Sequence, residues 1–154
     1  MIRRALEKAS NRLALIGGIS LIMMALITMI SILGRALFGQ PIPGDIELAQ
    51  LLTAFAIASF LPWCQAQKAH VFVDFFTART SPVNQQRLQR IGHLLIAVIL
   101  GVLAWRTMMA AASALQTSES SMILGIPIWV HSLGLIPGFL LASLVALSQA
   151  MHRQ

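Results

Sequence analysis

Few side chains in this sequence have a type and spacing that could do chemistry. Asp45 and Glu47 are separated by one residue where an apolar stretch begins, His70 and Asp74 stand four apart in a polar connection, and Arg106 lies within a long uncharged run. A carboxylate within a membrane could couple transport to protons, but Glu47 opens its stretch at a boundary and no second buried acid accompanies it. A lone His/Asp pair is a poor zinc site, since zinc takes three or four protein ligands; a hydrogen bond that locks a turn is the simpler use of His70 and Asp74. Cys64 is the single cysteine, so an internal disulfide, a CxxC redox pair and a Cys/His zinc spacing are all excluded. The five acids are scattered, and no Ser/His/Asp or Cys/His order fits a triad or a nucleophile elbow. The chain therefore reads as a non-enzyme with no metal and no cofactor of its own. The alternative is the membrane anchor of a respiratory haem or quinone complex, which a Soret band would reveal. Axial histidines must face each other at one depth, and His93 and His131 fall at opposite ends of their stretches.

The elements that carry these residues are apolar to an extent unusual for a soluble fold. Hydrophobic residues make up 57% of the 154 and charged ones only 10%, against ~25% charged in soluble domains. The net charge of +6 comes from bases clustered between long uncharged runs, a pattern that belongs to a membrane and not to nucleic acid. Residues 13–34 run without a charge, enough at ~1.5 Å per residue to cross a ~30 Å hydrocarbon layer. The stretch is apolar on every face, which excludes a half-solvated core helix. It also exceeds the ~7–15 apolar residues of a cleavable signal, so it is expected to stay as an anchor. Further spans are expected at about 46–67, 91–115 and 126–148, entered or interrupted by Pro43, Pro62 and Pro137. The expected fold is an all-α membrane protein, one domain over 1–154 with four transmembrane helices.

Arg3, Arg4, Lys8 and Arg12 precede the first span, and Lys68, Arg79, Arg87 and Arg90 lie between the second and third. Arg153 follows the fourth, and Arg35 alone falls in the other set of connections. The positive-inside rule then places both termini in the cytoplasm, consistent with an even number of spans. Trp63 and Trp129 fall near the inner and outer boundaries as an aromatic belt would.

Within this frame, Arg106 lies in the outer half of the bilayer, where a charge costs roughly 2.5–3.5 kcal/mol on insertion scales and needs a partner or water. Glu47 and Glu119 are on the same side and could pair with it. Arg35 and Glu47 bracket the first outer turn and could tie it, at a value of only ~0–1 kcal/mol if exposed. The inner connection, with Val71, Phe72, Phe75 and Phe76 among basic residues and Ser81-Pro82 as the next helix start, suits an interfacial arm touching membrane lipids. Gly134, Gly138, Ala142, Ala146 and Ala150 repeat at four-residue spacing, giving a small-residue face on which another helix can sit closely, whether of this chain or of another.

Taken together, Arg35 after the first span, Pro43-Gly44-Asp45-Ile46-Glu47 before the second, Lys68-Ala69-His70-Val71-Phe72-Val73-Asp74 after it, and Leu124-Gly125-Ile126-Pro127-Ile128-Trp129 leading to Pro137-Gly138 form an ordered set. In this order and spacing they resemble the small membrane subunit of tripartite ATP-independent periplasmic (TRAP) transporters, from about Leu13 to Ser148. The chain departs from the family pattern at Asp45-Ile46-Glu47, where adjacent acids are common, and at Ser120-Ser121, where Thr-Pro is common. The resemblance implies a non-catalytic scaffold for a large sodium-coupled membrane subunit that moves substrate by an elevator motion. A periplasmic solute-binding protein would deliver the substrate, commonly an organic acid. Arg35, Glu47, Arg106 and Glu119 would then form the outer polar set.

Overall fold

The computed structural model describes residues 2–67 and 82–151, with side chains over 4–67 and 87–151. Four helices account for nearly all of them: α1 (Ile2–Phe38), α2 (Asp45–Ala66), α3 (Pro82–Thr117) and α4 (Ile128–Met151). All four are long and apolar enough to cross a membrane. α1 and α3 extend past the expected spans, because hydropathy marks the lipid-embedded part while the basic flanks are good helix formers that prolong the hydrogen-bond ladder. α3 begins at Pro82, where the fixed φ of proline suits a first helical turn. At its other side, 126–127 belongs to a turn and α4 starts at Ile128. The interfacial arm expected between α2 and α3, with His70 and Asp74, lies outside the described residues.

Chain reversals are set by local chemistry. α1 stops where Gly39 adopts φ 69° and its N–H bonds the Arg35 carbonyl at 3.1 Å, a left-handed cap that glycine accepts without a Cβ penalty. Pro41 and Pro43 prevent its resumption. Gly44, at φ 76°, precedes α2, and a Cβ there would stand 2.4 Å from Leu124 Cγ. Glycine is therefore required twice over at this point, by conformation and by space. The connection from α3 to α4 folds into a tight loop, with the Ser121 N–H on the Ile126 carbonyl at 2.9 Å and the Ile128 N–H on the Glu119 carbonyl at 3.0 Å. The 39–44 and 118–127 connections lie together at what we call the hairpin end; the opposite end is the arm end.

The helices pack as a row in the order α1, α2, α4, α3, with a light touch between α1 and α4. The interior is made of small residues. Ala56, Ala58, Ala97, Ala104, Ala111, Ala114, Ala142 and Ala146 are buried, as are Ser10, Ser20, Ser31 and Ser59, while Leu15, Ile19, Ile22, Leu26 and Met29 face outward. In water this would be an inverted pattern. In lipid, where hydrocarbon solvates leucine as well as a core does, helices gain by close van der Waals approach, and small side chains permit it. On α1 the buried serines and Gly17 keep a three-and-four spacing, a seam of the kind that packs helices at a shallow crossing angle. On α3 the alanines 97, 104, 111 and 114 do the same toward α4, and Ser143 Oγ donates to the Ala97 carbonyl at 2.8 Å across that contact.

α2 is the central member and is approached closely from both sides. A Cβ on Gly17 of α1 would lie 2.8 Å from Ser59 Cβ, and one on Gly138 of α4 would lie 2.2 Å from the Ala58 carbonyl oxygen. Gly134 meets the Phe55 ring, while Ala142 and Ala146 are fully buried. The small-residue face of α4 is thus turned inward onto α2 of the same chain.

These contacts order three substitutions by cost. Gly138→Ala should lower the detergent-purified protein's thermal midpoint most, since backbone must give way; overpacking of this kind costs ~1–3 kcal/mol. Gly17→Ala should cost less, because its closest approach is 2.8 Å, to Ser59 Cβ, against 2.2 Å at Gly138, and Gly18→Ala should be near neutral or stabilising, because nothing lies within 4 Å of it. Equal midpoints for the three variants, followed by thermal circular dichroism, would contradict the packing.

Candidate functional site: the hairpin end

Two acids in the first turn of α2 organise the hairpin end, and each binds a different connection. A helix N-terminus favours carboxylates through its unpaired N–H groups and the positive end of its dipole. Asp45 faces α1: Ser31 Oγ donates to Asp45 Oδ2, the Ile42 N–H donates to Ser31 Oγ at 3.3 Å, and Asp45 Oδ1 accepts the Ile46 N–H at 2.8 Å. The buried Ser31 hydroxyl thereby passes a hydrogen bond from the 39–44 turn to the start of α2.

Glu47 faces the other way. Its Oε2 accepts the Ser121 hydroxyl at 2.7 Å and the Leu124 N–H at 3.0 Å, and its Oε1 accepts the Ile123 N–H at 2.9 Å. Ser121 Oγ in turn accepts the Ile126 N–H at 3.1 Å. One carboxylate thus closes a loop more than seventy residues away in sequence. A charged acceptor makes such bonds roughly twice as strong as neutral ones. Leu124 covers Gly44 on the same contact. Beside this clasp lies a cleft of about 210 Å³ lined by Glu47, Gln50, Ser121, Pro127 and His131 among others.

The polar residues expected to act together are not gathered into one set. Arg35 is exposed, and the attraction it exerts falls on Asp45, while Glu47 is occupied by the 121–124 turn. A fan of N–H and O–H donors satisfies a carboxylate without any cation. Arg106 is exposed on α3, and Glu119 is exposed with its backbone, not its side chain, tying the loop. Among the described residues no group of three or more histidine, cysteine or acidic side chains could hold a metal.

A second polar cluster sits at the arm end, built on two glutamines that had no role assigned from the sequence. Gln65 Nε2 donates to Gln149 Oε1 at 2.9 Å, Gln149 Nε2 donates to the Gln65 carbonyl at 2.7 Å, and Gln65 Nε2 lies 3.3 Å from His93 Nδ1. Gln65 is buried, so these bonds hold α2, α3 and α4 together in a setting where unpaired amides are costly. Its signal was two glutamines within otherwise apolar stretches. His93 at this end and His131 in the cleft beside Glu47 are therefore far apart along α2.

Residues 24–154 match the family described as tripartite ATP-independent periplasmic transporters, DctQ component. No curated protein and no solved structure matches the chain. The matched residues run from within α1 to the end of the chain and include both acids of α2, the 118–127 loop and the Gly138 contact. With well over half of its length matched, the chain belongs to the DctQ component family of TRAP transporters, a family of transporter components and not of catalysts.

Proposed function

We propose that this chain is the scaffold subunit of a TRAP transporter. It anchors a large sodium-coupled membrane subunit that takes up organic acids delivered by a periplasmic binding protein. The observation that carries this reading is the commitment of the α2 acids. Asp45 and Glu47 are both spent on tying connections, and among the described residues no acid lies within the apolar middle of a helix to hold sodium or a proton. A solute path through a membrane needs ionisable or unwound elements near its middle. The four helices here are continuous and meet through alanine, glycine and serine, which supports a rigid body more than a moving carrier. In this proposal the hairpin end is periplasmic and both termini are cytoplasmic, in a bacterial inner membrane, as the distribution of basic residues favours. The 118–127 loop, tied by Glu47, would offer part of the surface on which the binding protein lands.

In proteoliposomes the isolated chain should take up no organic acid under a sodium gradient, whereas addition of the large subunit and the binding protein should restore uptake. Robust uptake by the chain alone would remove the scaffold role. A reporter fused at the C-terminus should report a cytoplasmic location.

The Glu47 clasp gives a sharper test. Glu47→Ala should leave the Ser121 hydroxyl and the Ile123 and Leu124 N–H groups without their shared acceptor and so loosen the 118–127 loop. Glu47→Gln should be almost as damaging, because its NH₂ must face either the Ile123 or the Leu124 N–H whichever way the amide turns. Protease cleavage within 118–127 should rise in both variants; equal resistance in Gln and wild type would mean that the clasp does not hold the loop.

A further inference from the structure

Arg106 is a cation without a partner among the described residues of its own chain. It is exposed, and no hydrogen bond or ion pair among the described residues reaches it. α3 packs on α4 through Ala97, Ala104, Ala111 and Ala114. Arg106 stands roughly 200° around the helix from Ala104, so it projects from the back, among Val102, Leu103 and Met109, all exposed. A guanidinium keeps its charge at any physiological pH, so burial in lipid cannot be relieved by loss of a proton.

Lipid head groups are poorly placed to supply the missing anion. Arg106 is nine residues below Leu115, ~13 Å along the helix from the nearer end of the apolar stretch. Every Cα–Cβ bond in a helix tilts toward the N-terminus. α3 approaches its nearer surface with its C-terminal end, so the side chain starts toward the membrane middle and away from those head groups. This holds whichever way the chain is oriented. A second copy is also disfavoured, since a twofold pair of α3 helices would set one Arg106 against the other.

We infer that the back of α3 around Arg106 is a docking face for a membrane helix of the large transport subunit, one that presents a carboxylate at matching depth. The inference rests on the scaffold reading. It adds which face is used and what chemistry the partner brings. The pair would be a fork of guanidinium N–H groups on two carboxylate oxygens in an apolar interface, with Val102 and Met109 packing above and below it.

The test uses the chain co-expressed with its large subunit, with a photo-crosslinking residue placed at Val102, at Met109 or, for comparison, at Ile22 on the outward face of α1. Val102 and Met109 should crosslink to the large subunit on a helix containing Asp or Glu. Arg106→Gln should lower the co-purified large subunit at least tenfold while the chain's own membrane level is unchanged, Arg106→Lys should retain more, and neutralising the mapped acid should reproduce the loss. Crosslinks from Ile22 alone, with the complex intact, would overturn the docking face and leave the scaffold standing. Crosslinks from Val102 and Met109 to phospholipid or to a second copy, or full association of Arg106→Gln, would likewise overturn it. If the wild-type chain and the large subunit fail to associate at all, the scaffold reading falls and takes this inference with it.

Discussion

The whole arrangement depends on how closely α4 can approach the backbone of α2. Gly138 leaves no room for even a methyl group over the Ala58 carbonyl, and Gly17 brings α1 almost as near from the other side. Lipid offers apolar side chains as good a solvent as a protein core does, so the free energy of assembly must come from dispersion contacts and from hydrogen bonds across helices. Both fall off steeply with distance. Three of the interhelical bonds, Ser20 to Leu52, Ser143 to Ala97 and Gln149 to Gln65, are a short side chain or an amide reaching a neighbouring backbone. Such bonds exist only because the axes are close, and the axes are close because the seams are glycine, alanine and serine.

Close packing along a row leaves two ends to be fixed, and the chain solves them differently. At the hairpin end the ties run through charged acceptors: two acids at one helix start, each taking donors from a separate connection. At the arm end the tie is neutral, an amide pair with an imidazole beside it. The contrast follows from where unpaired donors are available. Tight turns expose backbone N–H groups that a carboxylate can collect, whereas the last turn of a helix has already spent its N–H groups on its own ladder and leaves carbonyls and side chains to pair.

How much of this was legible in the sequence depends on what kind of partner a residue chose. The four helices were plain, since uncharged runs of that length have few other uses, and the four-residue ridge of α4 announced a close contact. The ridge could not name its partner, because spacing reports only that something comes near; Ala58 has no feature that singles it out among the alanines of α2. Glu47 was marked as important and assigned to a cation, since charges are the visible partners in a sequence. Its actual partners include the N–H groups of Ile123 and Leu124, which every residue but proline possesses and which no letter code distinguishes. The partner of Asp45 was hidden for the same reason, as Ser31 looked like one small residue among several. The Gln65 and Gln149 pair was within reach of the physics, because a lone amide in hydrocarbon demands a partner as surely as a charge does.

A row of helices also differs from a closed bundle in what it leaves uncovered. In a closed bundle each helix buries a broad stripe and the remaining surface is convex. Here α3 is held along its alanine seam by α4 and, at one end, through His93 to Gln65, so most of its circumference is free. The same is true of α1 beyond its contact with α2. A lone pump or channel would gain nothing from such breadth, since it needs an enclosed path. A subunit that must keep a larger neighbour upright while part of that neighbour moves gains from a wide, flat and stiff flank. Stiffness comes from interdigitated small residues that leave no room for sliding, and width comes from stacking helices side by side. The geometry that close packing imposes on a poorly charged chain is therefore compatible with the bracing role proposed for it.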